Sequence, residues 1–169
     1  ENIQVVYSSN QLRAVETAQA ANLYWNVEHI IRPELREISF GHMEGMEDRD
    51  IAVKYRDFKA QQALWRRICP IRAGNAPGMG PAREPVFREM TEVVMSALLV
   101  THGGVIRSMT AHCLGIPMNK WRILGKNLEN CSITELNWDG ASGRFTLERF
   151  NDYAHLEPIR FAAKGMGQC

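Results

Sequence analysis

The chain has 169 residues, enough for a domain with a sizeable core, and its hydrophobic (45%) and charged (23%) fractions are ordinary for a globular protein. Its net charge of +1 gives no global field that would recruit nucleic acid or an anionic membrane, and its apolar runs are too short to span a bilayer. No signal peptide is evident, and the four cysteines lack CxxC or zinc-ligand spacing, so we expect a single cytoplasmic domain over residues 1–169.

The amino-terminal part alternates predicted strands with a predicted helix. β-branched and aromatic residues over Ile3–Tyr7 predict a strand, and Ser8–Asn10 supply side chains that can cap the following helix. The alanine-rich segment Leu12–Leu23 has one apolar face and predicts that helix. A second short strand is predicted at Val27–Ile31, and a loop follows over Pro33–Gly45.

Two predicted helices and a long loop make up the middle of the chain. Apolar residues three and four apart predict a helix over Glu47–Arg67, and a further helix is predicted over Val86–Ser96. The segment Ile68–Pro85 holds four of the seven prolines and is predicted to be a loop. Loops of this length are usually functional or mobile.

The carboxy-terminal part returns to alternating elements. In chain order the predictions are a strand at Ala97–Val100, a helix at Val105–Leu114 that Gly115 ends, a short helix at Met118–Leu124, and strands at Ser132–Asn137 and Phe145–Phe150 joined by a turn over Asp139–Gly143. Strands that alternate with helices favour a three-layer α/β fold, with a mostly parallel sheet flanked by helices.

Two predicted strand–helix junctions carry residues suited to binding an anion. His102 ends an apolar run, and Gly103 and Gly104 follow it before a new helical pattern begins. Backbone N–H groups and the helix dipole favour an anion at such a turn. Arg13 falls in the first turn of the other helix, where a cation is unfavourable unless an anion lies between its guanidinium and the helix N-terminus. A simple surface charge is the alternative for Arg13, and a structural role is the alternative for His102.

Glu37 adds a carboxylic acid to this set. It lies in a loop between apolar residues, so it is either a solvated glutamate or a partly buried proton donor. Arg13 and His102 both follow the carboxyl ends of predicted parallel strands, where sites form in such sheets. Together they suggest phosphoryl transfer, in which Arg13 and His102 neutralise the phosphoryl oxygens and Glu37 protonates the leaving oxygen. A cationic clamp of this kind needs no metal, and we expect no cofactor.

Three motifs, in this order, resemble those of the histidine phosphatase superfamily, which has the phosphoglycerate mutase-like fold. Ser8–Ala18 resembles the family pattern SSxxxRAxxTA, and Leu35–Gly45 resembles LxExxFGxxEG. Val100–Arg107 resembles the segment around the family's second histidine. Asn127–Leu136 looks like the family's late strand region, so the likeness extends to about Phe150.

The resemblance implies a role for each matching residue. Arg13 would be a phosphate-pocket arginine, Glu37 the general acid that later activates water, and His102 the second pocket histidine. Ser9 and the backbone N–H of Gly103 would contact the substrate. The implied enzyme is a metal-independent phosphomonoesterase that forms a phosphohistidine intermediate on small phosphorylated metabolites.

The chain departs from the family pattern at two places. The family's nucleophile is a histidine in an Arg-His-Gly motif, expected upstream of Ile3 and not found in the 169 residues. The segment Trp65–His102 is also shorter than in the family, and Glu84 is a weak stand-in for the glutamate of a Gly-Glu-Ser motif there. We therefore expect a domain without its first strand and part of its middle region. The histidines that do not match the nucleophile motif are His29, His42, His112 and His155.

Two other functions stay open at this point. A mutase would have to shield its phosphohistidine from water while the substrate re-docks, and the short middle segment offers little material for a lid. A non-catalytic module would keep Arg13 and His102 and bind phosphate without a nucleophile. The expected partner is a small phosphorylated substrate, with no nucleic acid and no membrane, and a homodimer is a further alternative.

Overall fold

The computed structural model of the chain describes residues 2–37, 46, 49–50, 53, 89, 96–125 and 128–158. The chain divides into two compact units, residues 1–105 and 106–169. Most of the predicted middle region lies outside the described residues. This applies to the predicted helices over 47–67 and 86–96 and to the predicted loop over 68–85, of which the structure describes residues 49–50, 53, 89 and 96. None of the described helices has the length and apolar character that a membrane span requires.

The first unit contains a three-stranded parallel sheet. Its strands are β1 (Val5–Ser8), β2 (Glu28–Ile31) and β3 (Ala97–Val100), in the order β2-β1-β3. All four residues of the central strand β1 are buried, which suits its β-branched and aromatic composition. The three strands predicted from the sequence are therefore confirmed, and their carboxyl ends meet at one edge of the sheet.

Helix α1 (Leu12–Trp25) follows β1 and packs on one face of the sheet through its small residues. Ala18 is fully buried and forms a core cluster with Ile3 and Val6. The partly buried residues packed against this cluster are Trp25, Val27, Leu98 and Val100. An alanine at position 18 lets the helix backbone approach the sheet closely, so a large side chain there would force the two layers apart.

Asparagines determine where α1 ends and β2 begins. Asn26 has a left-handed conformation (φ 52°, ψ 47°), and its N–H donates to the Asn22 carbonyl at 2.7 Å. The Asn22 side chain donates to the Val27 carbonyl at 2.7 Å and accepts from the Val27 N–H at 3.1 Å. These bonds satisfy backbone groups at the helix end and turn the chain into β2.

The prediction that Ser8–Asn10 cap α1 is wrong. The N-cap residue is Gln11, and it makes no side-chain capping bond. Successive residues of a strand face opposite sides of the sheet, so the hydroxyls of Ser8 and Ser9 have different partners. Ser8 Oγ lies 2.8 Å from His29 Nε2 on β2, and Ser9 Oγ lies 2.7 Å from His102 Nε2.

A buried tyrosine links β1 to the segment after β2. The Tyr7 hydroxyl donates to Glu89 Oε1 at 2.9 Å, and the other carboxylate oxygen of Glu89 pairs with Arg32. Burial, followed by the neighbouring Glu89, raises the pKa of Tyr7 to about 12. Beyond Arg32 the predicted loop begins with a 3-10 turn at Pro33–Leu35, and its residues 38–45 lie outside the described part.

Helix α2 (Gly103–Cys113) begins at the end of the first unit and continues into the second. It starts two residues before the predicted Val105, and Gly115, with φ 66°, follows its end as predicted. The predicted short helix at Met118–Leu124 is a 3-10 helix. Arg107 donates to the Gly125 carbonyl at 2.9 Å and lies over the Trp121 ring, 4.7 Å from its centroid.

An antiparallel hairpin completes the described part of the second unit. Its strands, β4 (Ile133–Asp139) and β5 (Arg144–Asp152), form a two-stranded sheet of their own. Both strands and the turn were predicted, although each strand is longer than its sequence pattern indicated. The Asp139 carboxylate accepts from Ala141 N–H at 3.0 Å and from the Ser142 hydroxyl at 2.6 Å, which stabilises the turn.

Candidate functional site

His102 lies at the carboxyl edge of the parallel sheet, between β3 and α2, and only 7% of its surface is exposed. Both ring nitrogens have a protein neighbour. Ser9 Oγ lies 2.7 Å from Nε2, and Arg13 Nη2 lies 3.2 Å from Nδ1. The ring is therefore held from two sides, by the end of β1 and by the first turn of α1.

Arg13 is the second residue of α1, as the sequence predicted. Its Nη2 nitrogen also donates to Gln11 Oε1 at 2.7 Å. Nη2 carries two hydrogens, so these two neighbours account for both of them. Among the described residues, no partner is found for the N–H groups of Nη1 and Nε, and Arg13 is exposed. The guanidinium is anchored through one nitrogen, and its other donors can bind a ligand.

Ser9 was predicted to contact substrate, and in the structure its side chain contacts the His102 ring. Its side chain is fully buried, and Oγ accepts from the Gln11 N–H at 3.3 Å in addition to its contact with His102. The Ser9 N–H donates to the Val100 carbonyl at 3.1 Å, which continues the pairing of β1 with β3 by one residue. Ser9 thus supports the histidine from within the sheet edge.

The segment that carries Glu37 is fixed to the end of β3. Leu35 is fully buried, and the Thr101 hydroxyl donates to its carbonyl at 2.7 Å. Two residues later, Glu37 Oε2 accepts from the Gly104 N–H at 3.3 Å. The carboxylate therefore lies at the N-terminus of α2, close to His102, where the helix dipole favours a negative charge.

Electrostatics favour a neutral His102. Its pKa is lowered from the usual 6.5, first by burial and then by the Arg13 charge, while Glu37 acts in the opposite direction and Arg36 lowers it further. Among the described residues, the groups that face His102 near pH 7 are thus the guanidinium groups of Arg13 and Arg36, the carboxylate of Glu37 and the positive end of α2. This excess of positive charge suits an anion with several oxygen atoms.

Four of the predicted site residues come together in the first unit: Arg13, Glu37, Ser9 and His102. Gly103 opens α2 beside them, and a Cβ atom added at that position would meet nothing within 4 Å. Its predicted bond to substrate stays a prediction. Within the described residues, no three His, Cys, Asp or Glu side chains lie close enough together to hold a metal ion.

Sequence reasoning missed Gln11 and Arg36. Gln11 lies inside the first motif, at a position where the family pattern allows any residue. The available signal was the absence of a good N-cap residue directly before an alanine-rich helix, since glutamine is not among the preferred caps. Arg36 stands between two matched residues, Leu35 and Glu37, and its charge next to an anion site was the signal.

The sequence of this chain is similar to those of known proteins. The family model of the histidine phosphatase superfamily (branch 1) matches residues 1–153. A protein named as a phosphoserine phosphatase of Hydrogenobacter thermophilus is 25% identical over 162 residues, covering 94% of this chain and 77% of that protein. Phosphoglycerate mutase-like protein 4 of Arabidopsis thaliana is 28% identical over 181 residues, covering 99% and 72%.

Solved structures share the fold. A mycobacterial glucosyl-3-phosphoglycerate phosphatase superposes with a TM-score of 0.70 at 22% identity, covering 90% of this chain and 79% of that one. YhfR of Bacillus stearothermophilus gives a TM-score of 0.70 at 24% identity, covering 91% and 76%. The predicted α/β fold, with a parallel sheet flanked by helices, is confirmed. The chain belongs to the histidine phosphatase superfamily, branch 1.

Proposed function

We propose that this chain carries the phosphate-binding and proton-donating groups of a phosphomonoesterase that acts on small phosphorylated metabolites. The observation that carries the proposal is the junction of Arg13, His102 and the N-terminus of α2. One guanidinium nitrogen is fixed by Gln11 and His102, while the N–H groups of Nη1 and Nε have no partner among the described residues. An anion bound there would receive charge-assisted hydrogen bonds from donors that are already oriented.

In this proposal each residue acts at a different point of the reaction. Arg13 binds the phosphoryl oxygens and neutralises the charge that develops on them, and His102 assists it. Glu37 Oε2 accepts a hydrogen bond from the Gly104 N–H at 3.3 Å. Its carboxyl group would protonate the leaving alcohol and then activate water. Phosphoryl transfer would go to a histidine and then to water, without a metal ion.

The nucleophile of that mechanism would be a histidine in an Arg-His-Gly motif. The five histidines of the sequence include none in an Arg-His-Gly context. A second candidate function is phosphate binding without hydrolysis, because Arg13, held by His102, and the N-terminus of α2 can bind an anion without a nucleophile. The names of the relatives, which include a phosphoserine phosphatase and a glucosyl-3-phosphoglycerate phosphatase, support hydrolysis of small phosphate esters.

The test combines binding with turnover. We expect orthophosphate to bind the wild-type protein, and His102→Ala and Arg13→Ala to abolish or strongly weaken that binding. His112→Ala is the matched control, because His112 is exposed on the same helix α2. Unchanged orthophosphate binding in His102→Ala would contradict the site assignment.

Turnover separates the two candidate functions. The intact mass of the native protein shows whether further polypeptide accompanies these 169 residues, and release of orthophosphate from an aryl phosphate measures hydrolysis. If hydrolysis occurs, Glu37→Gln should slow esters of poor leaving groups more than esters of good ones, since only the former need a proton. Equal slowing would exclude Glu37 as the proton donor, and binding without release would favour the non-catalytic module.

A further inference from the structure

The contacts of Arg13 determine which nitrogen of His102 carries the proton. A guanidinium has five N–H donors and no acceptor, so the Nδ1 atom that Arg13 Nη2 approaches at 3.2 Å must offer a lone pair. The hydrogen of the neutral ring is then on Nε2, and it points to Ser9 Oγ at 2.7 Å. The contacts form one directed chain, in which Arg13 donates to His102 and His102 donates to Ser9.

The orientation of Arg13 depends in turn on Gln11. The other hydrogen of Nη2 goes to Gln11 Oε1, at the shorter distance of 2.7 Å. Because the guanidinium can only donate, the carboxamide oxygen and not its NH₂ group must face Arg13. Gln11 is the N-cap residue of α1 with extended backbone (φ −81°, ψ 133°), and its side chain makes no bond to the helix backbone. The side chain is therefore directed to Arg13 instead of capping the helix.

We propose that Gln11 is a positioning residue that orients Arg13 for phosphate binding and, through Arg13, keeps His102 in its Nε2–H tautomer. This inference rests on the proposed phosphate-binding role of Arg13. With Nη2 occupied by Gln11 and His102, the guanidinium presents Nη1 and Nε to the ligand in one orientation. Without Gln11 the long arginine side chain would regain rotamer freedom, which binding would again have to restrict.

His102 reports on this arrangement because charged groups of two segments face it. Arg13 comes from α1, and Arg36 and Glu37 follow the 3-10 turn. Arg13 lowers the pKa of His102, second only to burial. A substitution that lets Arg13 move away should therefore raise the pKa of His102 toward its usual value, whereas loss of a merely structural contact at the helix end would leave this pKa unchanged.

The experiment compares Gln11→Met with Gln19→Met, which makes the same change at an exposed position of the same helix α1. The ring nitrogens of ¹⁵N-labelled histidine are observed by NMR, with His102→Ala to assign the signals, and orthophosphate is titrated by calorimetry. In Gln11→Met we expect mixed tautomers at His102, a raised pKa, and orthophosphate affinity lower by about fivefold, the effect of one hydrogen bond. Gln19→Met should match the wild-type protein in all three measurements.

Gln11→Glu keeps an acceptor oxygen and should retain the Nε2–H tautomer. Identical ring-nitrogen signals and identical His102 titration in Gln11→Met and Gln19→Met would overturn the inference, whatever the affinity for orthophosphate. A wild-type His102 that carries its proton on Nδ1 would overturn it as well. Failure of the wild-type protein to bind orthophosphate is a different result: it would overturn the proposed function, while the ring-nitrogen signals would still show whether Gln11 orients Arg13.

Discussion

His102 combines burial with two hydrogen-bonded ring nitrogens, and this combination determines how the site responds to pH. The Ser9 hydroxyl can accept from Nε2 whether the ring is neutral or charged, whereas Arg13 can only face a neutral Nδ1. Protonation of the ring would therefore break the contact with Arg13 and place two cations side by side. Burial of the ring lowers the pKa of His102 most, and the charge of Arg13 lowers it further.

The first prediction concerns stability against pH. In the unfolded chain a histidine titrates near 6.5, and in the folded protein the pKa of His102 is lower, so the unfolded state binds the proton first as the pH falls. The stabilisation from the neutral ring is present above pH 6.5 and is lost as the pH falls below that value. We expect urea unfolding to show a larger loss of stability between about pH 7.5 and pH 5 for the wild type than for His102→Gln.

His112→Gln provides the control for the loss of a histidine from an exposed position on α2. A wild-type protein that becomes more stable on acidification over the same range, relative to His102→Gln, would contradict the assignment of His102 as a neutral buried ring.

At the scale of elements, the sequence predicted what depends on local pattern and missed what depends on distant partners. The strand at Ala97–Val100 and the alanine-rich helix follow from composition and periodicity, and both were placed well. The capping role of the serines was wrong because the partner of Ser9 is His102, 93 residues away in the sequence. A hydroxyl that suits a helix cap also suits a histidine, and only the folded sheet brings the two strand ends together.

The same limit applies to the candidate site. Arg13 and His102 could be identified because strand ends of a parallel sheet meet at one edge. The exact end of α1 depends on Asn26, whose left-handed conformation stops the helix two residues after the predicted end. The sequence signal for this end was Asn26 itself, because asparagine is one of the few residues that adopt the left-handed conformation after a helix.

The second prediction tests Asn26. Asn26→Ala should destabilise the protein by about 1 kcal/mol, because a residue with a Cβ atom and no local hydrogen bond is disfavoured at φ 52°. Asn26→Gly should have little effect or stabilise slightly, since glycine adopts this conformation freely. Urea unfolding of both variants measures the difference. Asn10→Ala is the control for loss of an exposed asparagine, and equal destabilisation by Asn26→Ala and Asn26→Gly would argue that the side chain and not the backbone matters.

At the scale of the whole molecule, attraction of an anion must come from the site, because the net charge of +1 supplies almost no general field. In the part of the chain that the structure describes, Arg13 and Arg36 face His102 from two segments, and the carboxylate of Glu37 opposes them. Charges farther away are screened by salt over about 8 Å under physiological conditions. The affinity for phosphate should therefore depend on the position of each charged side chain and very little on the net charge of the chain.

The third prediction follows from this locality. Glu28→Lys raises the net charge by two at the amino end of β2, about 10 Å of strand from the edge that carries the site. We expect it to change orthophosphate affinity by less than about twofold at physiological salt. Arg36→Gln lowers the net charge by only one, yet it should weaken binding by about threefold or more, and more strongly at low salt. Calorimetry at two ionic strengths measures both, and a larger effect of Glu28→Lys would show that the overall charge matters after all.

The end of β1 has a consequence for how this protein can change over time. Ser8 and Ser9 are adjacent, and the pleat of the strand sends one hydroxyl to His29 and the other to His102. Removing or adding one residue within positions 5–9 would turn every following side chain to the opposite face and separate both histidines from their hydroxyls at once. The length of this strand therefore cannot drift, and any lineage that keeps the site must also keep the spacing between β1 and Arg13.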